Sequence, residues 1–238
     1  MVKEPQSRPL YGIFTDIPPH YDLVNRIITM GLDRRWREAA VRACLALSPQ
    51  RALDIGCGTG DFAITIARMA KRQMEIIGLD YSEPMLEIAR EKARQVSGNK
   101  VTFVNGDAIK LPFPDEYFDC VGISFAFRNL TYRNPLTKKA LTEIVRVLKP
   151  AGRFVAVESS QPKSAFVRFF FRLYLKIFVA HMGYLVSGNR GAYHYLAESA
   201  ARFHTPQEIK ELLMCCGFSE VAYQPLLLGA AGVHVATK

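Results

Sequence analysis

Cysteine is scarce and unpatterned in this sequence. The 238-residue chain holds five, Cys44, Cys57, Cys120, Cys215 and Cys216, an odd set without CxxC spacing, so a disulfide-stapled secreted scaffold is not expected. Its histidines (His20, His181, His194, His204, His234) show neither HxxxH nor HxxE spacing, so no metal site is expected either. No GK[ST] follows the glycine-rich turn, which excludes a P-loop. The opening MVKEPQSRPLYG carries charge and no apolar core; no signal peptide is visible, and a cytoplasmic location is expected. Repeats and low-complexity tracts are also missing.

What remains is ordinary globular composition, 49% apolar and 22% charged. The length suits one large domain or two small ones. We read a single domain over 1–238, with an N-terminal helical cap at about 12–47 and an insertion or lid at about 160–194. Lys+Arg 31 against Asp+Glu 22 gives +9, which permits nucleic acid, anionic lipid or an acidic substrate without choosing among them.

From Arg51 to Val157 apolar strands alternate with amphipathic helices. ALDIG (52–56), EIIGLD (75–80), VTFVNGD (101–107), FDCVGISF (118–125) and RFVAVE (153–158) read as strands. Helices are expected over DFAITIARMAKR (61–72), from Ser82 as cap through Val96, and over LTEIVRVL (141–148), stopping at Lys149-Pro150. Upstream, residues 20–47 read as two helices, the second capped by Asp33. Downstream, Thr205-Pro-Gln-Glu208 matches a capping box, Gly217 closes that helix, and FSEVAY with GVHVAT (232–237) adds two strands. The expected fold is α/β: a Rossmann-like, seven-stranded, mostly parallel sheet with helices on both faces.

Such sheets bind ligands beyond the carboxyl ends of their strands. Gly56–Gly60, Asp80, Asp107–Ala108 and Ser124–Asn129 all fall there. Each alone is an ordinary polar loop; four at corresponding positions point to a ligand. The run Gly56-Cys-Gly-Thr59-Gly-Asp61 departs from GxGxxG, because position 61 is Asp. A carboxylate in the first helical turn repels a pyrophosphate, and Asp54 adds a second negative group. S-adenosylmethionine (SAM), with an ammonium and a sulfonium and no pyrophosphate, fits better. Asp80 is placed to accept from both ribose hydroxyls, Asp107 to take the adenine amino group, and the Ala108 N–H to donate to the ring.

At these residues the sequence resembles a known family. LDIGCGTGD, GLDYSEPML and GDAIKLPFPDEYFD match class I SAM-dependent methyltransferases. YDLVN (21–25), GLDRRW (31–36), ISFAFRNL (123–130), RVLKPAGRFVAVE (146–158) and YHYLAES (193–199) narrow the likeness to the ubiquinone/menaquinone biosynthesis C-methyltransferases, over roughly residues 12–236. By that resemblance Thr59, Asp80, Asp107, Ala108 and Ser124 contact the cofactor; Gly56 of the glycine loop is expected to bind it as well, and Tyr21, on the N-terminal helix, to reach its methionine end. The activity implied is methylation of a ring carbon on a polyprenylated quinol precursor. Two departures fall on the substrate side: the family's usual glycine after Lys-Pro is Ala151, and its EFSKP run is ESSQP (158–162).

Carbon methylation needs a phenolate, so Arg128 is expected to stabilise the anion and Asn129 to orient the ring hydroxyl. The opposing reading makes Arg128 an ordinary salt bridge. Candidate bases are His194, Tyr195, Tyr21 and Glu158, with water as the alternative. Ser164–Val186 is apolar but interrupted by Arg168, Arg172 and Lys176 at i, i+4 and i+8. Three central charges disfavour a spanning helix. A helix lying on an anionic membrane fits, as does a lid whose cations face water. Dispersed basic residues and the absence of [DNS]PP[YF] argue against a nucleic-acid substrate. A different small apolar acceptor, or a non-catalytic SAM-binding protein, remains the alternative.

Overall fold

The computed structural model describes residues 21–179 and 190–238. Residues 12–20 of the expected cap and 180–189 of the insertion lie outside the described residues. Strands β1 (Arg51–Ile55) and β2 (Glu75–Asp80) bury every residue but their first. A strand apolar on both faces belongs inside a sheet covered by helices on both sides, and that is where these two lie. With β3 (Val101–Asn105), β4 (Phe118–Ser124), β5 (Leu148–Ser159), β6 (Glu220–Leu226) and β7 (Ala231–Thr237) they form one seven-stranded sheet, ordered β3-β2-β1-β4-β5-β7-β6. The first five strands run parallel; β7 is antiparallel to both β5 and β6. Because β1 pairs with β2 on one side and β4 on the other, the connections leaving β1 and β4 diverge and open a crevice between them.

Helices α1 (Tyr21–Ile28), α2 (Asp33–Leu45), α3 (Asp61–Met69), α4 (Glu83–Arg94), α5 (Phe127–Thr131), α6 (Thr137–Val147), α7 (Ala165–Tyr174), α8 (Arg190–Ala201) and α9 (Pro206–Cys215) surround it. One core joins Phe118, Phe127 and Phe154 to Ile144 of α6 and Leu213 of α9. The other joins Val155 and Val233 to Val41 of α2 and to Phe62 and Ile66 of α3. Phe62 lies so close to β4 that a Cβ at Gly122 would sit 2.2 Å from its ring. Only glycine admits the ring there, and losing the ring costs about 3–5 kcal/mol.

Local signals mostly hold. Thr205 and Glu208 form the reciprocal capping box, and Gly217 takes φ +106° past α9. Four expectations need correction. Leu32 is already helical (φ −75°, ψ −20°), so Asp33 is the first residue of α2 instead of its cap, accepting from Thr29 Oγ1 (3.0 Å) and pairing with Arg37. Ser82 holds the N-cap position of α4, but its hydroxyl makes no capping bond. Strand β3 stops at Asn105, because Asp107 turns the chain through its own bond to the Ile109 N–H (3.2 Å). The helix expected over 141–148 begins at Thr137, whose hydroxyl reaches the carbonyls of Leu130 and Asn134 and ties α6 to α5.

Candidate active site

The loop after β1 turns on three glycines in the left-handed region: Gly56 (φ +63°), Gly58 (+52°) and Gly60 (+83°). They do different work. A Cβ on Gly56 would meet Ala126 at 2.9 Å, and one on Gly60 would meet Ala89 and Phe103, so those two permit packing. A Cβ on Gly58 would meet nothing within 4 Å, which leaves open space over the loop. The loop is pinned from below: Gly58 N–H donates to Asp80 Oδ2 (2.8 Å), and Cys57 N–H to the Leu79 carbonyl (3.1 Å).

Around that space the polar accounting is incomplete. Asp54 is buried; its Oδ2 accepts from the Ala63 N–H (3.1 Å), and its Oδ1 has no partner. Burial pushes its carboxyl well above the usual carboxylate range, and the nearby charge of Asp80 adds to this. Burial also raises Asp80, against the N–H groups of Ser82 (2.9 Å) and Gly58 that hold it down. Ser124 Oγ, at the end of β4, is buried and unpartnered. Buried acceptors and hydroxyls left this way cost about 1–3 kcal/mol each unless a ligand completes them. A cation with hydroxyls suits them; a diphosphate does not. Asp107 and the buried Ala108 follow β3, so the ends of β3, β2, β1 and β4 line up along one sheet edge as the sequence predicts.

Thr59 also faces this edge, but its hydroxyl is engaged from above. It donates to Asp22 Oδ1 of α1 (2.7 Å), while Lys92 Nζ of α4 donates to Asp22 Oδ2 (2.9 Å), to Thr59 Oγ1 (3.1 Å) and to Asp61. Helix α1 is thereby latched onto the glycine loop. Asp22 sits inside the YDLVN segment without standing out, and nothing local marks Lys92.

Beside the crevice lies a cavity of about 470 Å³, walled by α1, α2, α7 and α8 and by the ends of β4 and β5. Its walls are largely aliphatic and aromatic, including Trp36, Phe125, Phe171 and Leu175. Arg128, Asn129, Glu158 and Ser159 supply polar groups at the strand ends. The first two sit on α5, a short helix where the sequence reading had a loop. Arg128 is 4% exposed: Nη1 donates to Glu158 Oε1 (2.7 Å) and Ser159 Oγ (2.8 Å), and its backbone N–H to Glu158 Oε2 (3.1 Å). Its Nε, and Oδ1 of Asn129, have no partner. Arg128 is therefore salt-bridged and still holds a free donor beside the cavity. Glu158 Oε1 also accepts from the Ser159 N–H and hydroxyl (2.8 and 2.9 Å), so this carboxylate is engaged as the ion-pair partner of Arg128, with Oε2 accepting a single bond. The side chains of Tyr21, His194 and Tyr195 are outside the described set. Among the described residues no group of three or more His, Cys, Asp or Glu is placed to hold a metal ion.

The whole chain, residues 1–238, matches the ubiE/COQ5 methyltransferase family. It is 42% identical to a demethylmenaquinone methyltransferase of Deinococcus radiodurans, covering 99% of this chain and 95% of that one. It is 43% identical to a demethylmenaquinone methyltransferase of Thermus thermophilus, covering 94% and 98%. A ubiquinone/menaquinone biosynthesis C-methyltransferase of Geobacter sulfurreducens is 37% identical, covering 95% and 87%. The fold matches magnesium protoporphyrin IX methyltransferase from Synechocystis, solved with bound SAH, at TM-score 0.63 and 18% identity over 96% of this chain and 98% of that one. It also matches a SAM-dependent methyltransferase from Thermotoga maritima, described as a possible histamine N-methyltransferase, at TM-score 0.62 and 25% identity over 96% and 99%. A doubly covered sheet, a crevice holding a buried carboxylate with one unpaired oxygen, and an apolar chamber beside it thus accompany full-length sequence likeness, and the chain belongs to the ubiE/COQ5 methyltransferase family.

Proposed function

We propose that this protein methylates a ring carbon of a polyprenylated quinol, with a demethylmenaquinol-type naphthoquinol as the acceptor. The observation that carries the proposal is the juxtaposition of Arg128, buried and charge-balanced, with both the apolar cavity and the cofactor crevice. The names of the relatives from Deinococcus and Thermus favour the naphthoquinol over the benzoquinol.

Bound SAM supplies the electrophilic methyl group. Asp80 accepts the ribose hydroxyls: a carboxylate has about four lone-pair sites, and Gly58 and Ser82 leave capacity. Asp107 and Ala108 would hold the adenine, and Gly56, Thr59 and Ser124 the remainder, with Tyr21 assigned there from the sequence alone. The unpaired Oδ1 of Asp54 contributes the negative field that favours a cation. In the cavity Arg128 stabilises the phenolate oxygen, and Asn129 orients the hydroxyl. The chain's own part would be to align the ring carbon with that methyl group and to let the ring proton pass to water.

Arg128→Lys keeps the charge and loses the planar fork. Turnover falls at least tenfold while calorimetric SAM affinity stays within about twofold. Unchanged turnover removes Arg128 from the chemistry. Labelled SAM with a panel of demethylated quinols, read by mass spectrometry, tests the acceptor; no labelled quinol at all leaves a SAM-binding protein without catalysis.

The same reading sets the protein at the cytoplasmic face of an anionic membrane, touching it through 164–186, of which 164–179 is described. Among the described residues no helix is long and apolar enough to cross a membrane. Helix α7 buries none of its residues and carries Arg168 and Arg172, which supports peripheral contact.

A further inference from the structure

Among the described residues, five of the exposed large apolar side chains are gathered in one place. Met30, Phe166, Phe170, Leu227 and Leu228 are all exposed, Phe166 and Leu228 to 72% and 79%, and all five line the same cavity. They therefore form its mouth. They come from three separate segments: the turn between α1 and α2, helix α7, and the tight turn between β6 and β7. Phe169 packs edge-on against Phe170, and with Ile177 it extends the patch outward.

The β6–β7 turn is the least expected of the three. Leu227 (φ +43°) and Leu228 (φ +54°) both occupy the left-handed region, which costs an L side chain about 1–2 kcal/mol per residue. Strain of this kind persists only where the surrounding structure holds it, and it gathers at sites that bind or switch. Neither leucine packs into either core, so the fold gains little from having them there. The third observation is charge. Residues 164–179 contain Arg168, Arg172 and Lys176, with Lys163 just before them, and no acid.

We infer that this three-segment rim lies on an anionic lipid bilayer, with the Leu227–Leu228 turn and the α7 phenylalanines inserted among the acyl chains. The cavity then opens into hydrocarbon, and a lipid-borne acceptor enters without crossing water. The inference rests on the proposed quinol reading and adds to the membrane contact named there the Leu227–Leu228 anchor and the opening of the cavity into the bilayer. A second copy of the chain is a poor occupant, because the facing rim carries the same positive charge. A bilayer surface with negative headgroups complements it.

The test uses the intact protein and vesicles of phosphatidylglycerol and phosphatidylcholine. Wild type sediments with anionic vesicles, and raised salt weakens binding. The double substitution Leu227→Asn/Leu228→Asn suits the left-handed backbone and preserves folding while removing both anchors. Phe169→Ser lies outside the cavity lining. Each lowers vesicle partitioning at least fivefold, and Phe169→Ser leaves turnover of a short-chain, water-soluble quinol unchanged. Wild type that stays in the supernatant, or variants that bind as wild type does, overturns the inference. So does a rim that proves to be a dimer contact, with wild type dimeric and the variants monomeric. SAM calorimetry separates the two levels: SAM binding without vesicle binding rejects only the bilayer, whereas absent SAM binding rejects the cofactor reading beneath it.

Discussion

Ala151 adopts φ +61°, a conformation that glycine tolerates and alanine takes only under strain. Ala151→Gly should therefore stabilise the protein by about 0.5–1 kcal/mol, the relieved strain exceeding the extra freedom of the unfolded chain. Urea unfolding reads this as a higher midpoint with unchanged slope. Asp54 offers the opposite bargain. Its buried oxygen has no partner, so Asp54→Asn relieves a charge held out of water and raises the apo melting temperature by about 2–4 °C. The same change weakens SAM binding roughly tenfold by calorimetry, because the buried carboxylate that lowers stability is the one that favours a cation. Residues of this kind were legible because their neighbours in sequence are their neighbours in space: the glycine loop, Asp54 and Asp80 announce themselves by strand and turn. Asp22 and Lys92 did not, since the bond that gives both meaning spans 70 residues. Arg128 lay between, its type readable and its partner Glu158, 30 residues on, not.

Elements were read most accurately where a strand is buried on both faces or a cap is reciprocal, as at β1, β2 and the Thr205–Glu208 box. They were misread where tertiary bonds set the boundary. Short α5 follows a buried strand with no polar start signal, and it forms because its backbone N–H at Arg128 is satisfied by Glu158. Helix α1 invites a direct test. The Lys92 ammonium that latches it is partly exposed, so the pair is worth on the order of 1 kcal/mol or less. Lys92→Met should speed amide hydrogen exchange across 21–28 and weaken SAM by no more than about fivefold. Exchange unchanged in α1 shows that the helix is held by its apolar face alone.

For the molecule as a whole, acid sensitivity has an identifiable source. His234 of β7 packs against Tyr223 (ring centroids 4.7 Å apart), and burial lowers its pKa to about 4. The unfolded chain takes up a proton near the ordinary 6.5 and the folded chain does not until about 4. Stability from this residue is thus complete above pH 6.5 and is lost as pH falls toward 4, by at most about 3 kcal/mol. Asp54 and Asp80, raised by burial, act with the opposite sign. Comparison with His234→Gln isolates the histidine: urea titrations between pH 7 and 4.5 should give the variant a flatter dependence, and parallel curves reject the assignment.

One helix forms part of two chambers. Through Asp22, α1 touches the glycine loop; through Asn25 and Ile28, it walls the apolar cavity. Any settling of that partition by one occupant is inherited by the other. Whatever change one ligand makes in the hold on the other is returned by an equal factor, as thermodynamic reciprocity requires. How firmly such an enzyme keeps its acceptor then depends on whether the methyl donor is in place, and to the same degree the donor on the acceptor.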